Sequence, residues 1–111
     1  MDKLTRYREI IRRELEGYAA WTKPGAGLRS EVVFDPVLDH FELVESGWQG
    51  RRRIHTVVFH LDIIDGKIWI QHDGTTDGAA ETLVAAGVPQ EAIVLGFQPP
   101  ERRKLTAFAP A

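Results

Sequence analysis

The sequence predicts an α+β fold: a four-stranded, mainly antiparallel sheet with an N-terminal helix, a second helix after the fourth strand and a short C-terminal helix. Three observations predict it. Apolar residues recur at spacings of three and four along the first twenty positions, the period of an amphipathic helix. Four runs rich in Val, Ile, Phe and Trp lie between residues 28 and 73, separated by turn residues. Beyond them the helical spacing returns, punctuated by Gly87, Pro89, Pro99 and Pro100. A chain of 111 residues is the size of one domain, so residues 1–111 are expected to form a single unit.

The first helix is expected over residues 2–20. Leu4, Tyr7, Ile11, Leu15 and Tyr18 share one face, Asp2 stands ready to cap the start, and Arg6, Glu9, Arg12, Arg13 and Glu16 take the wet side. "WTKPGAGLR" breaks the period with Pro24, Gly25 and Gly27 and reads as a loop. "LRSEVVFD", "HFELVESGW", "RRRIHTVVFHLDII" and "KIWIQHD" follow as strands.

Asp65-Gly66 is a two-residue hairpin signal, because both turn positions need positive φ. That turn sets Ile64 opposite Lys67, Asp62 opposite Trp69 and His60 opposite Gln71. Side chains alternate along a strand, so Val57, Phe59, Leu61, Ile63, Ile68 and Ile70 face a core. His60, Asp62, Trp69, Gln71 and Asp73 share the other face, with His60 and Asp62 about 6.6 Å apart along the strand. His72 is expected on the opposite side. The preceding hairpin is expected to close through Gln49 to Arg51, placing Leu43 opposite Val57 and Phe41 opposite Phe59, with Gly50 left-handed. The second face then gains Glu42, Val44, Ser46, Trp48, Arg52 and Ile54. With Val58 and Ile64 it carries too much apolar surface for an uncovered monomer. Either a helix of the same chain or another subunit is expected to cover it, and its aromatic-rich make-up with a few charges suits a protein interface.

The second helix is expected over residues 76–86, capped by Thr75 or Thr76, with Ala80, Leu83 and Val84 buried and Gly87 ending it. "PQEAIVLGF" reads as a short turn and an extended apolar run. "PPERRKLTAF" reads as a short helix with proline in its first turn.

Composition narrows the function. The chain has no cysteine, which excludes disulfides, thiolate metal sites and a cysteine nucleophile and suits a reducing, cytoplasmic setting. No apolar run reaches the roughly 18 residues of a membrane span. The net charge of −2 does not advertise nucleic-acid binding. Phosphate-binding glycine loops, G-x-S-x-G and H-E-x-x-H are missing. His60-x-Asp62 is the leading candidate for metal or acid–base chemistry, but a metal needs three or four converging donors and only two, with Asp73 as a third, can be placed. Their favoured role is a hydrogen-bonded network at a subunit interface. No catalytic residue, metal ligand or cofactor is therefore assigned. Arg51, Arg52 and Arg53 at a hairpin tip are candidates for phosphate contact, with a solvated turn the simpler account.

Several stretches resemble the XisI-like proteins, a bacterial family named for a controlling factor in excision of the fdxN element. They are "MDKLTRYREII", Gly47-Trp48 with the arginines after it, "HLDIIDGKIWIQHDGTT" at 60–76 and "LVAAGVPQEAIVLGFQPPERRKLTAFA" at 83–109. The resemblance implies a small α+β protein linked with a nuclease-fold partner of XisH type, while a separate recombinase exchanges the strands. It attaches no catalytic role to His60, Asp62, Trp69 or Gln71. The expected function is that of a non-catalytic accessory or regulatory protein in a DNA excision or related system. It acts by protein–protein contact, as a homodimer, through Trp48, His60, Asp62, Trp69 and Gln71. Two alternatives stand beside it: a DNA-binding recombination cofactor using Arg51 to Arg53, and a metal-dependent enzyme built on His60, Asp62 and Asp73.

Overall fold

The computed structural model describes residues 2–22, 25–75 and 78–111. Thr76, one of the two expected helix caps, and Pro24 in the first loop lie outside them. Among the described residues no helix is long and apolar enough to cross a membrane. Helix α1 spans Lys3–Thr22, and strands β1 (Leu28–Asp35), β2 (His40–Gln49), β3 (Arg52–Ile64) and β4 (Lys67–Asp73) follow. Then come α2 (Ala79–Ala85), a 3-10 turn (Gln90–Ala92), β5 (Ile93–Val94) and α3 (Pro100–Arg103).

The sheet has five strands in the order β1-β2-β3-β4-β5, not four. The first four are antiparallel neighbours, and β5 adds a parallel edge through Ile68↔Ile93 and Trp69↔Val94. The expected extended run after Pro89 contained this strand. Its partner could not be read locally, because parallel pairing needs a crossover, here made by α2.

Asp2 starts α1 as expected: its carboxylate accepts the Thr5 backbone N–H at 2.8 Å. Tyr7, Ile11 and Leu15 are buried with Ile10, while Leu4 and Tyr18 pack at the edge of the core. The helix lies on the sheet face that carries Phe41, Leu43, Phe59, Leu61, Ile68 and Ile70. Arg8 grips the β1–β2 turn with a forked pair of bonds to Asp39, 2.7 and 3.1 Å. Asp39 itself has φ +52°.

Helix α2 buries Ala79, Ala80 and Leu83, but Val84 turns to solvent. Its end is a Schellman motif. Gly87 at φ +110° donates to the Val84 carbonyl and Val88 to the Leu83 carbonyl, both at 3.0 Å. Its start is held by a residue not foreseen in that role. Asp73 accepts the Ala79 N–H at 2.7 Å and the Thr75 N–H and hydroxyl at 3.0 and 2.6 Å. Thr75 contributes one bond, from Gly78 N–H at 3.2 Å.

Asp73 reaches α2 because the sheet register shifts twice. The Asp65-Gly66 turn forms as expected, with φ +51° and +79°, and Asp62 pairs with Trp69. Between His60 and Leu61 a bulge then leaves Gln71 unpaired, so His60 faces His72 and Phe59 faces Asp73. Asp73 is thereby moved off the face of His60 and Asp62, and His72 onto it, the reverse of both expectations. The second shift lies between β2 and β3. The turn is Gly50-Arg51, with Gln49 opposite Arg52, and a bulge between Leu43 and Val44 skips Val58. Leu43 then meets Phe59 and Phe41 meets Leu61. Both remain in the core as expected, but Val58 packs there in place of Val57. Arg53, not Arg52, now pairs with Trp48, and its guanidinium sits 5.4 Å from that ring. Ile54 moves to the helix side with Gly47.

Two outcomes follow. The Thr5 bond holds the Asp2 carboxyl below its usual value near 3.8. The unfolded chain therefore binds the proton first, and the contribution of this cap is full at neutral pH and is lost as pH falls below about 4. Asp2→Asn should remove that component of the acid limb in urea titrations taken at several pH values. Asp73→Ala should lower the unfolding free energy by about 1–2 kcal/mol, read from the urea midpoint, because it strips the α2 cap.

Candidate functional site on the open sheet face

The face away from α1 takes its character from the two central strands. Phe59, Leu61 and Ile63 must point into the core, so His60 and Asp62 point out. On β2, Phe41 and Leu43 do the same for His40 and Glu42. The β2–β3 register then stacks His40 directly opposite Asp62 and Glu42 directly opposite His60. Four titratable side chains stand at the corners of one square on adjacent strands.

Their atoms converge. His40 Nδ1 lies 2.7 Å from Asp62 Oδ1. His60 Nε2 lies 3.1 Å from His40 Nδ1 and 3.2 Å from Asp62 Oδ1. The two imidazole rings meet edge-on, their centroids 4.3 Å apart. Glu42 approaches the other ring nitrogen of His40, with Oε2 3.5 Å from Nε2. Gln71, aimed by the β4 bulge, donates its amide to Asp62 Oδ2 at 3.2 Å. All of these side chains are partly buried, and the Asp62 side chain keeps 18 % of its surface.

Of the residues singled out in the sequence, His60, Asp62 and Gln71 are brought together. Asp73 is not, for it caps α2. His40 was missed, although it has the parity of Glu42; continuing the alternation by one pair would have put it on this face.

The two tryptophans lie apart. Trp48 is at the hairpin end, 53 % exposed under Arg53. Trp69 is covered by the chain's own C-terminal segment: Arg103 sits over its ring at 5.1 Å. Gly96 also presses close, so that a Cβ there would come within 3.1 Å of the Trp69 ring and 2.6 Å of Gln71 Oε1. Val94 is fully buried beneath the same segment, where it pairs with Ala109. Apolar exposure on the open face is thus carried by Trp48, Val33 and Ile64. Arg51 and Arg52 are solvated at the hairpin tip. Arg53 donates to the Gly47 carbonyl at 3.3 Å in addition to stacking on Trp48.

A second feature lies on the helix side, an apolar cleft of about 230 Å³ between α1 and α2 lined by Leu15, Tyr18, Trp21, Phe59 and Leu83. Glu14 and the hydroxyl residues Thr75 and Thr82 stand at its margin without the mutual convergence seen on the open face.

No curated protein matches the chain. Solved structures do. A XisI-like protein from Anabaena variabilis is 39% identical and superposes with a TM-score of 0.92, covering 97% of this chain and 99% of that one. The fdxN element excision controlling factor XisI from the same organism is 34% identical with a TM-score of 0.85, covering 99% of this chain and 100% of that one. The family model described as XisI protein matches residues 1–110. Fold, length and sequence agree along the described chain, and the protein belongs to the XisI family.

Proposed function

We propose that this protein is a non-catalytic accessory factor in a DNA excision or related system, and that it works by docking its open sheet face on other proteins. The observation that carries the proposal is the make-up of that face. Val33 and Ile64 are exposed near a half-buried polar centre of His60, Asp62 and Gln71, and Trp48 is exposed farther along the same face, at the hairpin end. Aromatic and aliphatic carbon sharing a face with a few oriented polar groups is the composition of a protein interface rather than of a wet sheet surface. The likeness to an excision controlling factor supports the wider setting. Trp69, packed under Arg103, borders the docking surface.

The first occupant is a second copy of the chain, since one self-complementary face generates a closed dimer. A nuclease-fold partner of XisH type would then join the dimer. The positions of Arg51 to Arg53 favour this reading over direct DNA contact. Arg53 is engaged with Trp48 and Gly47, which leaves two solvated arginines on a net-acidic chain.

Sedimentation velocity at tens of micromolar should show a dimer, and Trp48→Asp should shift it to monomer while leaving the fold intact. A wild-type protein that stays monomeric, and that fails to bind a XisH-type protein, would overturn the proposal. Replacing Arg51, Arg52 and Arg53 together with Gln should leave weak DNA affinity unchanged in a salt titration. A steep loss of binding with a flatter salt slope would instead assign the hairpin tip to phosphate.

A further inference from the structure

We infer that His40, His60 and Asp62 form a binding site for a divalent transition-metal ion of the zinc class, with Glu42 and Gln71 as positioning residues. The inference does not rest on the docking role proposed above.

The donor geometry carries it. His40 Nδ1, His60 Nε2 and Asp62 Oδ1 form a triangle with edges of 2.7, 3.1 and 3.2 Å. Metal–ligand bonds of about 2.0–2.1 Å put neighbouring donors about 2.9 Å apart at right angles and about 3.3 Å apart at the tetrahedral angle. The triangle needs adjustments of a few tenths of an ångström to surround such an ion.

Protons fill the same triangle poorly. If His40 Nδ1 and His60 Nε2 both donate to the Asp62 carboxylate, the two N–H groups also face each other at 3.1 Å. If either nitrogen lacks its proton, that nitrogen turns a lone pair toward the carboxylate. A cation accepts all three lone pairs at once.

The surrounding groups match the tautomers and orientations a metal requires. Ligating histidines commonly have a carboxylate or carbonyl on their remote nitrogen, which fixes the proton there and the lone pair on the metal side. Glu42 stands in that place for His40, 3.5 Å from Nε2. Gln71 donates to Asp62 Oδ2, and Oδ1 is turned toward both ring nitrogens. Two imidazoles and one carboxylate suit zinc and its neighbours in the first transition row; calcium and magnesium take all-oxygen shells. Three protein donors also leave a coordination position, and the partial exposure of the three side chains directs it to solvent. Water or one donor atom of an incoming partner would complete the shell.

His40 lies twenty positions before His60, and no local spacing links the two. It reaches the site only through the β2–β3 register.

The test uses untagged full-length protein, treated with chelator and dialysed, then titrated with Zn²⁺ by calorimetry and with Co²⁺ by visible absorption. The expected result is one ion per chain, ligand-field bands from Co²⁺, and a rise in the thermal midpoint with Zn²⁺. Asp62→Asn keeps the side-chain shape and should abolish stoichiometric uptake, as should His40→Ala. Gln71→Ala removes no ligand and should weaken affinity by about tenfold. The folded wild type failing to take up either ion would overturn the inference. So would uptake that Asp62→Asn and His40→Ala leave unchanged. A monomer that binds zinc would count against the docking proposal alone, and a dimer indifferent to zinc against the metal site alone.

Discussion

Strand β3 is bonded on both edges, and the division of its side chains between two faces governs the rest of the molecule. Phe59, Leu61 and Ile63 must enter the core beneath α1 and α2. A slip of one residue would bury His60 and Asp62 in their place, and an unpaired buried carboxylate costs several kcal/mol, on the order of a large part of the stability of a small domain. The core therefore fixes the polar cluster, although the two lie on opposite sides of the sheet. The same reasoning holds on β2, where Phe41 and Leu43 place His40 and Glu42.

The bulges on either side of this segment turn a regular sheet into one with a site. Near Val58 the extra residue shifts the β2 register by one, so that His40 stands opposite Asp62. Near Gln71 the extra residue lets that side chain reach Asp62 Oδ2 and turns Asp73 toward α2. Each bulge serves two elements at once. The Val58 bulge also brings Arg53 over Trp48 at the hairpin end. The Gln71 bulge supplies the helix cap that covers the core.

Much of this was legible in the sequence, for reasons that can be named. The four long strands and α1 announce themselves through period and turn chemistry, which are local signals. Asp65-Gly66 fixes its hairpin because so few residues tolerate positive φ. The Gly87 stop and the proline-led α3 follow from backbone chemistry in the same way. Parity was less secure. A bulge leaves no mark in the sequence when both flanking residues are apolar, as Val57 and Val58 are, so a three-residue loop was the simplest way to put Phe41 and Leu43 inside. The structure reaches the same burial with a two-residue turn and a bulge. Strand β5 was hidden because two residues carry too short a pattern and their partner is reached through a crossover. Trp69 read as exposed because nothing in "PPERRKLTAF" says that Arg103 will fold back across it.

The separation of core and cluster across the sheet has a mechanical consequence. His40, Glu42, His60 and Asp62 stand on two long, mutually bonded strands, at the start of β2 and toward the end of β3, where backbone freedom is already spent in forming the sheet. Holding them in one geometry then demands little further ordering when a ligand arrives, which is the condition for tight recognition by few contacts. Among the described residues the buried core cluster contains no histidine, so the core is assembled on the other side of the sheet from the imidazoles. Substitution among the open-face residues can therefore change what the protein binds while the scaffold stays constant. The hairpin-end pair of Trp48 and Arg53 can vary separately from the polar centre, since different stretches of the β2–β3 ladder hold them, on opposite sides of the Val58 bulge.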